Sequence, residues 1–144
     1  MNKEFITYEQ ALALKELGFN EPCFGYFEPN KKFKYLNWET FKDFPYLAKN
    51  SEWQDLYGAP TFSQAFRWFR EKHNLVIQYI PHEIYDDNGQ SNLHHKYKIS
   101  EYDSWRGGRR NTVETELNET YEEAEFECIE KLIEIIQNER DINQ

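Results

Sequence analysis

Three short strings with one grammar constrain this chain more than anything else in it: Thr7-Tyr8-Glu9-Gln10-Ala11, Thr61-Phe62-Ser63-Gln64-Ala65 and Thr120-Tyr121-Glu122-Glu123-Ala124. In each, the threonine is a helix N-cap. The Gln or Glu three residues on closes a capping box, in which two orphan N–H groups at the helix start are satisfied reciprocally. Helices are therefore predicted from Tyr8 to about Leu17, from Thr61 to about His73, and from Thr120 onward. Gly18 and Phe19 supply the left-handed C′ residue and apolar C″ contact of a Schellman stop, and Asn74 is a second C′ candidate. The last helix has an apolar stripe of Ala124, Cys128, Ile129, Leu132, Ile135 and Ile136, and 138–144 should fray. The repeated helix start suggests an α-β-β duplication, but convergence on good caps is the simpler account, because capping boxes are common.

Between the helices the period changes. Cys23–Phe27 and Phe33–Leu36 flank the turn-rich Glu28–Lys32, and Leu75–Ile80 and Leu93–Tyr102 flank Asp86–Gln90. Both read as β-hairpins, and Asn88-Gly89 signals a two-residue type I′ turn. That turn would set His82 opposite His95 and Glu83 opposite His94. Asn37–Pro60 follows no clean period and reads as a long loop packed through its aromatics, with a short helical turn near Ser51–Leu56. Asp103–Arg110 reads as a polar, glycine-containing loop. The fold expected is α+β: one domain over 1–144, with an antiparallel sheet built from two hairpins and three helices mainly on one face.

An aromatic fraction of 17% (eleven Phe, ten Tyr, four Trp) supplies the core such a fold needs, since each ring can bury about 150–250 Å². No apolar run approaches the roughly 18–20 residues of a membrane span. The first residues lack the apolar stretch of a signal peptide, and Cys23 and Cys128 make no disulfide framework. A cytoplasmic protein is expected. The net charge of −9 is segregated: acids and bases balance through Val113, and from Glu114 onward Lys131 and Arg140 are the sole bases. General affinity for nucleic-acid phosphate is disfavoured.

Thr7–Phe19, Ala65-Phe66-Arg67-Trp68-Phe69-Arg70-Glu71-Lys72 and Thr120–Ala124 together resemble small uncharacterised proteins encoded in phages and prophage regions of gut-type bacteria. The resemblance covers most of the chain, least securely over Asn37–Pro60. It carries over no functional residue. What it implies is context, a mobile-element accessory protein acting in a bacterial host.

Motifs for chemistry are absent from the sequence. There is no nucleophile elbow, no His-Glu-x-x-His run and no phosphate-binding glycine loop. Cys23, between Pro22 and Phe24, reads as a small core residue rather than a nucleophile. The His82/His95 pair lacks a third ligand at metal-binding spacing, so neither a metal nor a cofactor is expected. Two surfaces remain. Trp105, Arg106, Arg109 and Arg110 could stack a base and clamp phosphate, or grip a protein carboxylate. Glu122, Glu123, Glu127 and Glu130 could present a carboxylate face that mimics DNA phosphates, although acids at a helix start are also favoured by the macrodipole. The expectation is a non-enzymatic accessory protein working through contacts with a host or phage protein. Nucleic-acid binding and DNA mimicry are the alternatives.

Overall fold

Each of the three threonines caps a helix. In the computed structural model, which describes residues 3–36, 50, 55–103, 105 and 107–143 (Arg109 by its backbone), α1 spans Tyr8–Glu16, α2 Phe62–His73 and α3 Tyr121–Ile142. Gln10 N donates to the Thr7 hydroxyl at 3.3 Å and Thr7 N to the Gln10 side chain at 3.1 Å, a full capping box. At Thr61 and Thr120 the hydroxyl accepts from the N3 amide at 3.1 and 3.2 Å. The Gln64 amide also donates to the Pro22 carbonyl at 2.7 Å, which ties the start of this helix to the preceding segment. The Schellman stop forms as expected: Phe19 N reaches Leu14 O, Gly18 N reaches Lys15 O, and Gly18 has φ 97. Helix α3 runs to Ile142, through most of the 138–144 segment expected to fray.

The described residues cluster into two compact units, Met1–Ala65 and Phe66–Gln144. Among the described residues, six strands accompany the helices in two three-stranded antiparallel sheets, a mixed α+β fold. No helix among the described residues is long and apolar enough to cross a membrane.

In the first unit, β1 (Gly25–Phe27) lies between β2 (Phe33–Tyr35) and β3 (Tyr57–Ala59). β3 corrects part of the expected loop, while 37–49 and 51–54, the latter holding most of the helical turn expected near Ser51–Leu56, lie outside the described residues. Gly25 is needed for close approach. A Cβ there would stand 2.6 Å from the Phe33 ring, which packs across β1 and meets Phe5, Phe27 and Tyr35 at centroid distances of 4.9–5.4 Å. Asn50 ties the layers together: its amide donates to Phe19 O and its carbonyl accepts from Gly58 N, both at 2.8 Å and buried.

In the second unit the order is β4 (Leu75–Tyr85), β5 (Ser91–Asp103), β6 (Gly108–Glu114). β6 also corrects an expectation, since Arg109 and Arg110 lie in a strand rather than a loop. The two sheets differ in kind. The third strand joins the first of the hairpin in one unit and the second in the other, which removes the duplication idea. Convergence on capping chemistry accounts for the three helix starts.

The β4–β5 register corrects a further expectation: His82 faces His94, and His95 faces Pro81. The turn has three residues, not two. Gly89 N reaches Asp86 O at 3.0 Å, Asp86 N reaches Gln90 O at 2.9 Å, and Gly89 alone takes a positive φ of 79. This is a type I turn followed by a left-handed residue. The Asp86 carboxylate selects it by accepting from Asn88 N and Gln90 N, both at 2.9 Å. A slip of one residue exchanges the faces of every side chain along the partner strand.

The corrected register puts Leu75, Ile77 and Tyr79 of β4 on one face with His95, Tyr97 and Ile99 of β5. Helix α3 buries Ala124, Cys128, Ile129, Leu132, Ile133 and Ile136, with Ile133 in the place expected for Ile135. Burial holds the Cys23 thiol up to about 12 and raises that of Cys128 as well, so both behave as small apolar core residues.

Candidate protein-contact face

The face that carries Tyr97 and Ile99 changes character along its length. Tyr97 and Ile99 are 4% and 1% exposed, whereas Leu93 is 50% exposed and Tyr85, at the end of β4, is 65% exposed. Between them stands an aromatic cluster. Tyr121, the first residue of α3, meets Tyr79 at 5.2 Å and His95 at 5.8 Å between ring centroids, and Tyr79 meets Tyr97 at 5.6 Å. The Tyr97 hydroxyl donates to that of Tyr121 at 2.9 Å, and the Tyr79 hydroxyl bonds His95 Nδ1. Burial, and then the bond to Tyr121, push the Tyr97 phenol above its ordinary range. It stays protonated at any physiological pH.

A clasp fixes this edge of the cluster. His95 exchanges two backbone bonds with Asn118, each 2.8 Å. Glu127 then holds the same segment with both carboxylate oxygens, accepting from Glu116 N at 3.1 Å and from the Asn118 amide at 2.6 Å. Glu125 sits half-buried nearby, and desolvation, followed by the charge of Glu122, raises its carboxyl to about 7. Beyond the clasp the same face continues with Tyr85 and Leu93 exposed. A concavity of about 340 Å³ lined by Asn92, Leu93, His94 and Glu119 adjoins it. The paired strands thus carry an apolar and aromatic ledge whose inner end is hydrogen-bonded to α3 and whose outer end is exposed, the Tyr85 hydroxyl donating to the Glu83 carboxylate at 3.0 Å. Arrangements of this kind suit recognition of another surface, since aromatic anchors on pre-ordered elements bind with little entropy loss.

The residues singled out from sequence do not join this ledge. Trp105 stands 97% exposed at the turn between β5 and β6, its backbone N–H donating to the Asp103 carboxylate at 2.9 Å. Arg110 is paired with Asp103 at 2.6 Å. Arg109 pairs through its backbone with Tyr102, and Arg106 lies outside the described residues. Of the acidic face, Glu122, Glu123 and Glu130 are exposed on α3, while Glu127 is committed to the clasp. Among the described residues no group of three or more His, Cys, Asp or Glu is placed to hold a metal ion.

Sequence reasoning missed Tyr79, His95, Tyr97 and Tyr121 as a set, and Tyr85 with Leu93. The signal was the aromatic content of alternate positions on two strands. The assumed two-residue turn hid it by placing Tyr79 opposite the wrong parity of β5. Comparison with protein-family models, with curated proteins and with solved structures finds no match.

Proposed function

We propose that this chain is a non-enzymatic binding protein that docks the outer β4–β5 hairpin onto a protein partner in the cytoplasm of a bacterial host. The observation that carries the reading is the exposure gradient along one sheet face, from Tyr97 and Ile99 under α3 to Leu93 and Tyr85 beyond it. Apolar side chains left exposed on a paired hairpin lose their hydration favourably when a second surface covers them. The resemblance to phage and prophage proteins makes a host or phage protein the partner.

A second reading rests on Trp105, whose exposure at a hairpin turn suits stacking on a nucleic-acid base. It is the weaker reading, because Arg110 is already neutralised by Asp103. DNA mimicry by α3 is weaker still, with Glu127 turned inward. Two variants separate these readings: Tyr85→Ser with Leu93→Ser, and Trp105→Ala with Arg109→Ala and Arg110→Ala. Immobilised wild type and both variants are challenged with host lysate, and retained proteins are compared. Loss in the hairpin variant alone supports docking by the ledge. Loss in the loop variant alone, with single-stranded oligonucleotide binding by fluorescence anisotropy, transfers the function to Trp105. Identical retention by all three rejects both surfaces.

A further inference from the structure

We propose that Asn88-Gly89, at the tip of the β4–β5 hairpin, is a site of spontaneous deamidation that Asp86 holds in check. The inference is independent of the docking reading. An asparagine followed by glycine is open to this reaction because no side chain crowds the backbone nitrogen that attacks. Gly89 N gives up its proton and bonds to Asn88 Cγ, the Cγ–Nδ2 bond breaks, and Nδ2 leaves as ammonia. Water then opens the cyclic imide at either carbonyl, giving aspartate or isoaspartate. No oxidant or reductant takes part, and solvent supplies the water.

Access is not the obstacle. Asp86 through Gln90 are all exposed, and a Cβ added at Gly89 would meet nothing within 4 Å. What restrains the reaction is the turn itself. Gly89 N–H, the group that must lose its proton, is already committed to Asp86 O at 3.0 Å. The Asp86 carboxylate holds Asn88 N and Gln90 N at 2.9 Å each, so the peptide units on both sides of the attacking nitrogen are pinned. Negative charge on Asp86 and Asp87 also disfavours a developing amide anion beside them. Attack requires Gly89 to leave Asp86 O and swing towards Cγ, and the carboxylate bonds resist that rotation.

The chemical consequence falls where the hairpin is most sensitive. Conversion to aspartate adds a carboxylate beside Asp86 and Asp87. Isoaspartate routes the main chain through the side-chain carbon, lengthening the turn whose size sets the β4–β5 register.

The test incubates full-length wild type, Asp86→Ala and Asn88→Gln in mildly alkaline buffer at physiological temperature, with a peptide covering residues 83–92 as reference. Peptide mapping by mass spectrometry follows the amide-to-acid change at position 88, and amide hydrogen exchange reports on the turn. Asp86→Ala should deamidate about tenfold faster than wild type, the effect of removing bonds of ordinary strength from the turn. Its Asn88 and Gln90 amides should exchange faster, and Asn88→Gln should leave this position unchanged. Equal rates in wild type and Asp86→Ala, with exchange faster in the variant, overturn the role of Asp86. An Asp86→Ala chain that stays intact at Asn88 while the peptide converts overturns the site.

Discussion

Glu125 shows how one side chain can make the packing of a whole helix depend on pH. It points to the sheet from α3, where Tyr97 and Cys128 lie close enough for its charge to act on them. Desolvation opposes its ionised form, and Glu122 adds repulsion, so its carboxyl rises from 4.5 to about 7. The sign follows from linkage. A carboxyl whose folded value is raised binds more protons folded than unfolded between those two values, so stability falls as pH rises through that window. The penalty is absent below about 4.5 and complete above about 7. Glu139 acts in the same direction at the far end of the helix, raised by burial and by Glu101. Glu125→Gln is therefore expected to leave stability near pH 4.5 almost unchanged, to raise it above pH 7, and to flatten the profile between. Denaturant melts across that range measure it, and a variant whose profile keeps the wild-type slope would remove Glu125 as the cause.

At the scale of elements, both hairpins use one turn with different residues in the left-handed position. In the first, Lys31 N reaches Glu28 O and Glu28 N reaches Lys32 O, each at 2.9 Å, with Lys31 at φ 69. In the second, Gly89 takes the equivalent place. A lysine pays steric strain there that glycine does not, while its partners are an exposed 4.0 Å pair with Glu9 and a 5.3 Å approach to the half-buried Tyr8 ring. Lys31→Gly should therefore stabilise the protein by up to about 1 kcal/mol, after the greater freedom of glycine in the unfolded chain is subtracted. A lower midpoint in urea would show that the Tyr8 and Glu9 contacts outweigh the strain. The comparison also shows why helices were legible in the sequence and sheets were less so. Thr7, Thr61 and Thr120 act within four residues, through caps whose chemistry is local. The register of β4 on β5 hangs on whether Asn88 or only Gly89 takes positive φ, and Asp86 decides that through bonds the Asn-Gly pair does not encode. β3 and β6 escaped for a related reason. Tyr57-Gly58-Ala59 gains strand character from pairing with β1, and β6 is bent by a bulge at Asn111, φ 51, whose amide donates to Glu101 at 3.0 Å. The candidate site depends on that long-range pairing, so the sequence offered its aromatic residues without their grouping.

Over the whole molecule, charge is arranged against stability as much as for it. The net charge of −9 belongs to the residues from Glu114 onward, most of which form α3. Glu122 and Glu123 lie in its first turn, where the macrodipole favours them. Further along, Glu123 with Glu127 and Glu130 with Glu134 repeat at i,i+4, where like charges each cost about 0.2–0.5 kcal/mol. Lys131 offsets part of this through a 3.4 Å contact with Glu134. Repulsion between exposed groups on one helix is what mobile ions screen best, because the screening length shortens from about 30 Å at 0.01 M to about 10 Å at 0.1 M. Exposed attractive pairs such as Lys31–Glu9 lose less because they contribute little at any salt concentration. The melting temperature at neutral pH should therefore rise between those two ionic strengths and level off above them. Chloride and sulfate should give the same curve at matched ionic strength, since screening does not distinguish them at these concentrations. A sulfate curve well above the chloride curve would assign the rise to exclusion of the salt from the surface. A melting temperature that falls over the same range would mean that attraction, not repulsion, dominates the surface, and that α3 is stabilised by its charges.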